Sequence, residues 1–279
     1  MFLKIFYFFI LFLKILFSLF SLISLFSLLS LFILFREWGN MNKKLKIALY
    51  VILALVIVIA GFCIWYVNDY NHADASVNAY LNGTDNVSVE KIDNGLFLDG
   101  PGNESALIFY PGAKIEYTAY LPLFTELAND GVDCFIVEMP CNLAVFGLDS
   151  ADSIKNNKSF DYDKWYISGH SLGGVVASYY VVNHSKDYDG LILLASYPAE
   201  DLNNVSVLSI YGSNDKVLNK ETYDKSKDLM DYNFTEYVIK GGNHAQFASY
   251  GEQAGDGVAS ISSESQRNQT EKEILEFIN

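Results

Sequence analysis

The sequence Trp165-Tyr-Ile-Ser-Gly-His-Ser171-Leu172-Gly-Gly-Val-Val-Ala177 contains the most informative local pattern in this 279-residue chain. The apolar run at 165–168 predicts a strand, and the apolar residues from Leu172 onward predict a helix. The segment between them is Gly-x-Ser-x-Gly, in which a sharp turn holds the serine in a strained conformation with its hydroxyl exposed. The pattern therefore predicts that Ser171 is a nucleophile. The alternative is a glycine-rich tight turn without chemistry.

Short apolar runs alternate with helix-length segments on both sides of this turn. Strands are predicted at 106–110, 134–137, 165–168, 191–195, 205–211 and 234–239. Helices are predicted near 120–127, 172–182, 220–230 and 271–278. Continuously apolar strands that alternate with amphipathic helices are typical of a parallel sheet covered on both faces. The turn at Asp93-Asn94-Gly95 adds an antiparallel hairpin before them, so the predicted class is α/β.

A nucleophilic serine needs a base, and the base needs an orienting carboxylate. Of the four histidines, only His244 follows the last predicted strand, in a glycine-rich loop that can turn it back over the strand ends. Asp215 lies four residues past a predicted strand, at the edge where open α/β sheets place their sites. Asp201 is the alternative acid, because it also follows a strand. An aspartate in such a turn can also serve only to cap a helix.

Two backbone N–H groups are expected to stabilise an oxyanion at this serine. The first belongs to Leu172, at the positive end of the helix dipole. The second is expected from the loop at 110–116, which follows the strand at 106–110, and Ala113 is the candidate. This chemistry implies no metal and no cofactor.

The chain resembles the α/β-hydrolase family over about residues 87–279. The resemblance rests on the Gly-x-Ser-x-Gly turn and on the chain order Ser171, Asp215, His244. A narrower resemblance is to a bacterial group of membrane-anchored α/β-hydrolases, mostly of unassigned substrate. Its motifs are Tyr110-Pro-Gly112, Met139-Pro-Cys-Asn-Leu-Ala144 and Tyr250-Gly-Glu-Gln-Ala-Gly-Asp-Gly257.

The sequence departs from the family pattern in the oxyanion loop, and the spacing between Ser171 and Asp215 limits the size of any inserted lid. Many lipases of the family have His-Gly-Gly-Gly where this chain has Tyr-Pro-Gly, which bears on the second oxyanion donor. Only 43 residues separate Ser171 from Asp215, and two strands must fit between them, so no large lid is expected.

The resemblance implies a serine hydrolase that works through an acyl-enzyme. Hydrolysis of carboxylic esters is the expected reaction, with a small molecule or an acyl ester as substrate. An acyltransferase or peptidase with the same residues is an alternative, because the triad does not choose between water and another acceptor. From a different class, the alternative is a catalytically silent surface binding domain on this fold.

The N-terminal part of the chain predicts a membrane anchor. Residues 47–67 carry no charge, and 21 residues at about 1.5 Å each span the roughly 30 Å hydrocarbon core of a bilayer. The anchor is therefore predicted at 41–67. A cleaved signal peptide is the alternative, which the long apolar run and the interfacial pair Trp65-Tyr66 disfavour. Residues 68–86 are polar and without periodicity, and they predict a stalk.

Residues 1–40 form a low-complexity apolar segment, with 28 apolar positions among the first 35. Two interpretations are open, a second membrane helix or a translation start at Met41. In both, Lys43, Lys44 and Lys46 precede the anchor, and positive flanks stay cytoplasmic. The domain at 87–279 is therefore expected outside the cell membrane.

Charge divides along the same boundary. Residues 1–66 carry six Lys or Arg against the single acid Glu37, a net of +5, so the chain total of −14 leaves −19 for the remainder. Nucleic-acid binding needs clustered Lys and Arg, and no such cluster follows Lys46. Nucleic acid is therefore excluded as an expected partner.

Overall fold

A computed structural model describes residues 41–279, and the low-complexity segment at 1–40, with its two interpretations, lies outside the described residues. The chain divides into two compact units, Met1–Tyr66 and Val67–Asn279. The described part of the first unit, residues 41–66, is almost entirely helical, and this helix, α1 (Lys43–Asn68), has no buried residue. Twenty-six residues at about 1.5 Å each extend over about 39 Å. This helix is long and apolar enough to cross a membrane.

The second unit is built on one eight-stranded sheet in the order β1-β2-β4-β3-β5-β6-β7-β8. β1 and β2 form an antiparallel hairpin, β2 is antiparallel to β4, and the remaining neighbours are parallel. This confirms the predicted α/β-hydrolase fold with its opening hairpin. The strands are β1 (Ser88–Ile92), β2 (Gly95–Asp99), β3 (Ser105–Tyr110), β4 (Val132–Val137), β5 (Lys164–His170), β6 (Gly190–Leu194), β7 (Val207–Gly212) and β8 (Phe234–Ile239).

Helices cover both faces of the sheet, as the continuously apolar strands predict. In β3, Leu107 and Phe109 join one apolar cluster, while Ile108 and Tyr110 join the other, because successive side chains point to opposite faces. Helices α2 and α6 contribute to the first cluster, and α3 and α4 contribute to the second. The helices are α2 (Leu121–Asn129), α3 (Ser150–Lys155), α4 (Leu172–Val182), α5 (Lys220–Ser226) and α6 (Ser263–Ile278).

Some element boundaries agree with the predictions and others differ. Helix α4 and strand β8 have the predicted limits. The last helix begins at Ser263, eight residues before the prediction, because the Ser262 side chain accepts a hydrogen bond from the Ser265 N–H and caps it. Its first two turns are polar, so apolar periodicity did not mark them. The helix predicted at 220–230 ends as α5 at Ser226 and continues as a 3-10 turn, Lys227–Leu229.

The segment predicted as a polar stalk lies against a loop of the second unit. The Asn71 N–H donates to the Lys114 carbonyl at 2.7 Å, and the Asn71 carbonyl accepts from the Glu116 N–H at 2.9 Å. The Lys114 ammonium also pairs with Asp69 at 2.7 Å, and Val77 is buried in the core. The segment therefore binds the loop at 110–116 through the Asn71 main chain and the Asp69 side chain.

Candidate active site

Ser171 occupies the turn between β5 and α4, at the carboxyl end of a central strand. Its φ of 51° and ψ of −123° lie in a region that residues other than glycine rarely adopt, which stores about 1–3 kcal/mol of strain. A Cβ added to Gly169 would lie 2.4 Å from the Gly173 carbonyl carbon, and one added to Gly173 would lie 2.0 Å from the Tyr110 oxygen. The glycines of the motif are therefore required by close backbone approaches around the serine.

Neighbouring strands hold this turn from behind. The Ser171 N–H donates to the Leu194 carbonyl at 2.9 Å. The Ser196 hydroxyl donates to the Ser171 carbonyl at 2.7 Å, which also accepts from the N–H groups of Gly174 at 3.1 Å and Val175 at 3.3 Å in the first turn of α4. Ser196 was not predicted from the sequence, because nothing in its local pattern links it to a turn 25 residues away.

Asp215 and His244 meet through a buried hydrogen bond. His244 Nδ1 lies 2.9 Å from Asp215 Oδ2, and the two side chains are 1% and 0% exposed. The second carboxylate oxygen accepts from the N–H groups of Val217 and Leu218 at 2.9 and 2.8 Å. Because a carboxylate only accepts, the proton lies on Nδ1, and the Nε2 atom of a neutral ring carries an unprotonated lone pair. Nε2 has no hydrogen-bond partner within residues 41–279.

Asp201, the alternative acid, does not contact His244. Asp201 is exposed, and its carboxylate accepts from the Asn203 N–H at 2.8 Å. The partner of His244 is therefore Asp215.

The two predicted oxyanion donors follow β3 and β5. Within the described residues, neither the Ala113 N–H nor the Leu172 N–H donates a hydrogen bond to a protein acceptor. Their neighbours are engaged, since the Gly112 N–H donates to the Tyr120 hydroxyl at 3.0 Å and the Lys114 N–H donates to the Asn142 carbonyl at 2.7 Å. In the loop at 110–116, the N–H groups of Ala113 and Ile115 therefore have no acceptor among the described residues.

A buried relay connects this loop to His244. His170 Nε2 lies 3.1 Å from the His244 carbonyl, which only accepts, so Nε2 carries the proton. His170 Nδ1 then accepts from the Tyr120 hydroxyl at 2.8 Å, which itself accepts from the Gly112 N–H. Burial lowers the pKa of His170 well below its ordinary value, and a positive charge on His244, when that ring is protonated, lowers it further, so the His170 ring is neutral.

Sequence reasoning missed Tyr120 and His170 as parts of the site. His170 precedes Ser171 directly, but Tyr120 lies 50 residues away from it, and Tyr120 belongs to an apolar segment that shows only helical periodicity. Burial raises the pKa of Tyr120 well above its ordinary value, so its hydroxyl stays a donor. Among the described residues, no group of three or more His, Cys, Asp or Glu side chains is arranged to hold a metal ion.

A strained serine at a strand-to-helix turn, with a His–Asp pair at the ends of the last two strands of a mostly parallel sheet, defines the class of α/β hydrolases. The sequence matches the profile of the Alpha/beta hydrolase family over residues 106–268, more than half of the chain. The chain belongs to this family. No curated protein matches it by sequence.

Solved structures agree on the fold. Dienelactone hydrolase from Anabaena variabilis is 11% identical, with a TM-score of 0.53, over 67% of this chain and 96% of that one. A monoacylglycerol lipase from Paleococcus ferrophilus is 12% identical, with a TM-score of 0.51, over 63% of this chain and 96% of that one. At these identities the likeness shows the fold alone.

Proposed function

We propose that this chain is a membrane-anchored serine hydrolase that cleaves carboxylic esters through an acyl-enzyme. Ser171 is the nucleophile, His244 is the general base and acid, and Asp215 orients His244. The observation that carries the proposal is the buried hydrogen bond of 2.9 Å between His244 Nδ1 and Asp215 Oδ2. It leaves Nε2 as the basic atom at the edge of the sheet where Ser171 also lies.

Acylation uses the strained serine and the two unengaged amides. Ser171 Oγ attacks the ester carbonyl carbon while His244 Nε2 takes the hydroxyl proton, and Asp215 stabilises the imidazolium that forms. The N–H groups of Ala113 and Leu172 donate to the oxyanion of the tetrahedral intermediate. The intermediate collapses as Nε2 returns the proton to the leaving oxygen. The alcohol departs, and the acyl group stays on Ser171.

Deacylation repeats these steps with water. His244 Nε2 takes a proton from a water molecule, whose oxygen attacks the acyl carbon. The second tetrahedral intermediate expels Ser171 Oγ, which receives the proton from Nε2. The products are a carboxylic acid and the free enzyme, and the protein supplies every proton transfer in both halves of the reaction.

The full-length chain in detergent tests this with p-nitrophenyl esters of varied acyl length and a fluorophosphonate probe. We expect Ser171→Ala and His244→Ala to lose about 10⁴-fold or more in turnover with little loss of stability, and Ser171→Ala to escape labelling. His184→Ala is the matched control, because His184 stacks on Tyr180 at the end of α4. Wild-type turnover by His244→Ala would make the triad assignment wrong. A folded wild-type chain without labelling or turnover would favour the silent binding domain.

The proposal includes an orientation, with the hydrolase unit outside the cell membrane. Lys43, Lys44 and Lys46 precede the uncharged part of α1, and basic flanks are retained in the cytoplasm. A membrane-impermeant amine reagent applied to intact cells is expected to modify lysines within residues 67–279 as fully as after permeabilisation. Modification that occurs only after permeabilisation would contradict the orientation.

A further inference from the structure

The motif at residues 250–257 has no step in the proposed reaction, yet its end crosses both loops that carry Asp215 and His244. We propose that residues 256–258 form a clamp that fixes this pair, with Asp256 as its central positioning residue. The inference rests on the proposed function, because it assigns a role in the same site.

The Asp256 carboxylate joins the residues that directly follow the pair. Oδ2 accepts from the Ala245 N–H at 3.0 Å, one residue after His244. Oδ1 accepts from the Lys216 N–H at 3.2 Å, one residue after Asp215, and from the Gly257 N–H at 2.7 Å. A single planar group therefore sets the spacing between the two loops on this side of the pair.

The residues that directly precede the pair bind the same clamp. The Asn243 side-chain amide donates to the Gly257 carbonyl at 2.8 Å. The Asn214 side-chain amide donates to the Val258 carbonyl at 2.9 Å. Each member of the Asp215–His244 pair is thus flanked on both sides by a residue that is hydrogen-bonded to 256–258.

The motif has the residue types that this contact requires. A Cβ on Gly257 would lie 1.8 Å from the Asn214 carbonyl oxygen, so only glycine permits the approach. Gly251 and Gly255 have φ of 86° and 85°, the left-handed region in which glycine is unstrained. The Tyr250 hydroxyl donates to Gln253 Oε1 at 2.6 Å and closes the loop on itself.

The clamp acts on catalysis through the placement of His244. A displacement of about 1 Å in a catalytic group lowers a rate by up to about 10²-fold. Removal of one arm of the clamp therefore affects the proton transfers, which determine kcat, more than substrate binding.

Asp256→Asn in the full-length chain is the direct test. Asparagine keeps the shape but replaces one acceptor oxygen with a donor, which then faces the Ala245 or the Lys216 N–H. We expect kcat to fall by about 10- to 10²-fold with KM unchanged, and the far-downfield proton resonance of the His244–Asp215 hydrogen bond to be lost. Glu252→Gln is the matched control, because Glu252 is an exposed carboxylate of the same loop. It is expected to keep both signals.

Two results would overturn the clamp. One is wild-type kcat in Asp256→Asn, and the other is a lower kcat with the downfield resonance retained. If Asp256→Asn fails to fold, Asn214→Ala is the second variant, which removes the bond to Val258 on the acid side and the bond of 3.2 Å that Asn214 Oδ1 accepts from the Ser213 hydroxyl. It is expected to reduce kcat several-fold with native circular dichroism. A wild-type chain that shows the resonance without labelling or hydrolysis would refute the proposed function, while the resonance in Asp256→Asn would still decide the clamp.

Discussion

The loops at the two edges of the parallel sheet differ in backbone conformation. We call these the carboxyl edge, where the parallel strands end, and the amino edge, where they begin. Among the described residues, seven other than glycine have positive φ. Five of them follow strand ends at the carboxyl edge of the sheet, namely Lys114, Cys141, Asn142, Ser171 and Ala195. The two at the amino edge, Asn203 before β7 and Asn233 before β8, are asparagines, a residue type that tolerates this conformation.

The contrast shows where the fold accepts strain. A left-handed backbone costs about 1–2 kcal/mol for residues such as lysine, serine and alanine. At the amino edge the chain only has to reverse, so asparagine and Gly131 suffice. At the carboxyl edge the turns also position polar groups of the candidate site. Ser171 carries its hydroxyl, and Lys114 directly follows the unengaged N–H of Ala113.

Ser171→Gly tests the strained edge and has the largest expected effect. Ester hydrolysis is expected to fall by about 10⁴-fold or more, because the proposed nucleophile is gone. The free energy of unfolding is expected to rise by about 1 kcal/mol, because glycine adopts this conformation without a Cβ clash. Urea unfolding and the p-nitrophenyl ester assay, both in detergent, measure the two quantities.

Asn203→Gly is the matched change at the amino edge. Asparagine already tolerates the left-handed region, and its side-chain amide donates to the Asp201 carbonyl at 3.2 Å. We therefore expect no gain in the free energy of unfolding and no change in hydrolysis. A gain equal to that of Ser171→Gly would remove the distinction between the edges.

Tyr120→Phe breaks the relay behind the carboxyl edge. It leaves the Gly112 N–H and His170 Nδ1 buried without partners, at about 1–3 kcal/mol each, so the free energy of unfolding is expected to fall by about 2–6 kcal/mol. Hydrolysis is expected to fall as well, because Gly112 adjoins Ala113. Tyr232→Phe serves as the control, since Tyr232 is 51% exposed. Equal stability of the two variants would show that the relay contributes nothing.

Glu271→Gln tests the amino edge, where the effect is smallest and depends on pH. Burial, and then the charges of Asp130 and Glu126, raise the pKa of Glu271 from 4.5 to about 7. Asp130 lies two residues before β4, and so at the amino edge. The folded chain holds a proton that the unfolded chain releases, so this carboxyl lowers stability progressively as the pH rises from 4.5 to about 7.

The substitution is therefore expected to raise the free energy of unfolding by about 1 kcal/mol at about pH 8, after allowance for the screening of a partly exposed carboxyl. At about pH 4 no difference is expected, because both states hold the proton. The pH profile of kcat should be that of the wild type. A changed profile would mean that the amino edge also influences the chemistry.

The sequence predicts those parts of the site whose conformation is determined by residues adjacent in the chain. Strand, turn and helix around Ser171 lie within residues 165–177, and the glycines that relieve the close contacts are part of the motif. His244 and Asp215 could be selected because parallel strands bring their carboxyl ends to one edge. The distance of 2.9 Å between His244 Nδ1 and Asp215 Oδ2 depends on how the sheet places the two loops, and no local sequence pattern indicates it.

The supports of the site could not be predicted, because a polar residue that bonds across the chain leaves no periodic pattern. Tyr120 is hidden in an apolar run, although its hydroxyl reaches His170. Asp256 belongs to the motif at 250–257, but the sequence of that motif does not indicate that its carboxylate accepts from the N–H groups of Lys216 and Ala245. The polar composition of residues 68–86 predicts a stalk, and this composition does not indicate that the Asn71 main chain pairs with the loop at 110–116.

The pairing of Asn71 with Lys114 and Glu116 defines a recombination boundary. An anchor exchanged with another protein can join this hydrolase before Asp69 and leave the loop of Ala113 supported. A joint made at Ser88, where the sheet begins, discards the Asp69–Lys114 ion pair and both Asn71 hydrogen bonds. The segment that must be transferred with the hydrolase domain therefore begins before the first strand of the sheet.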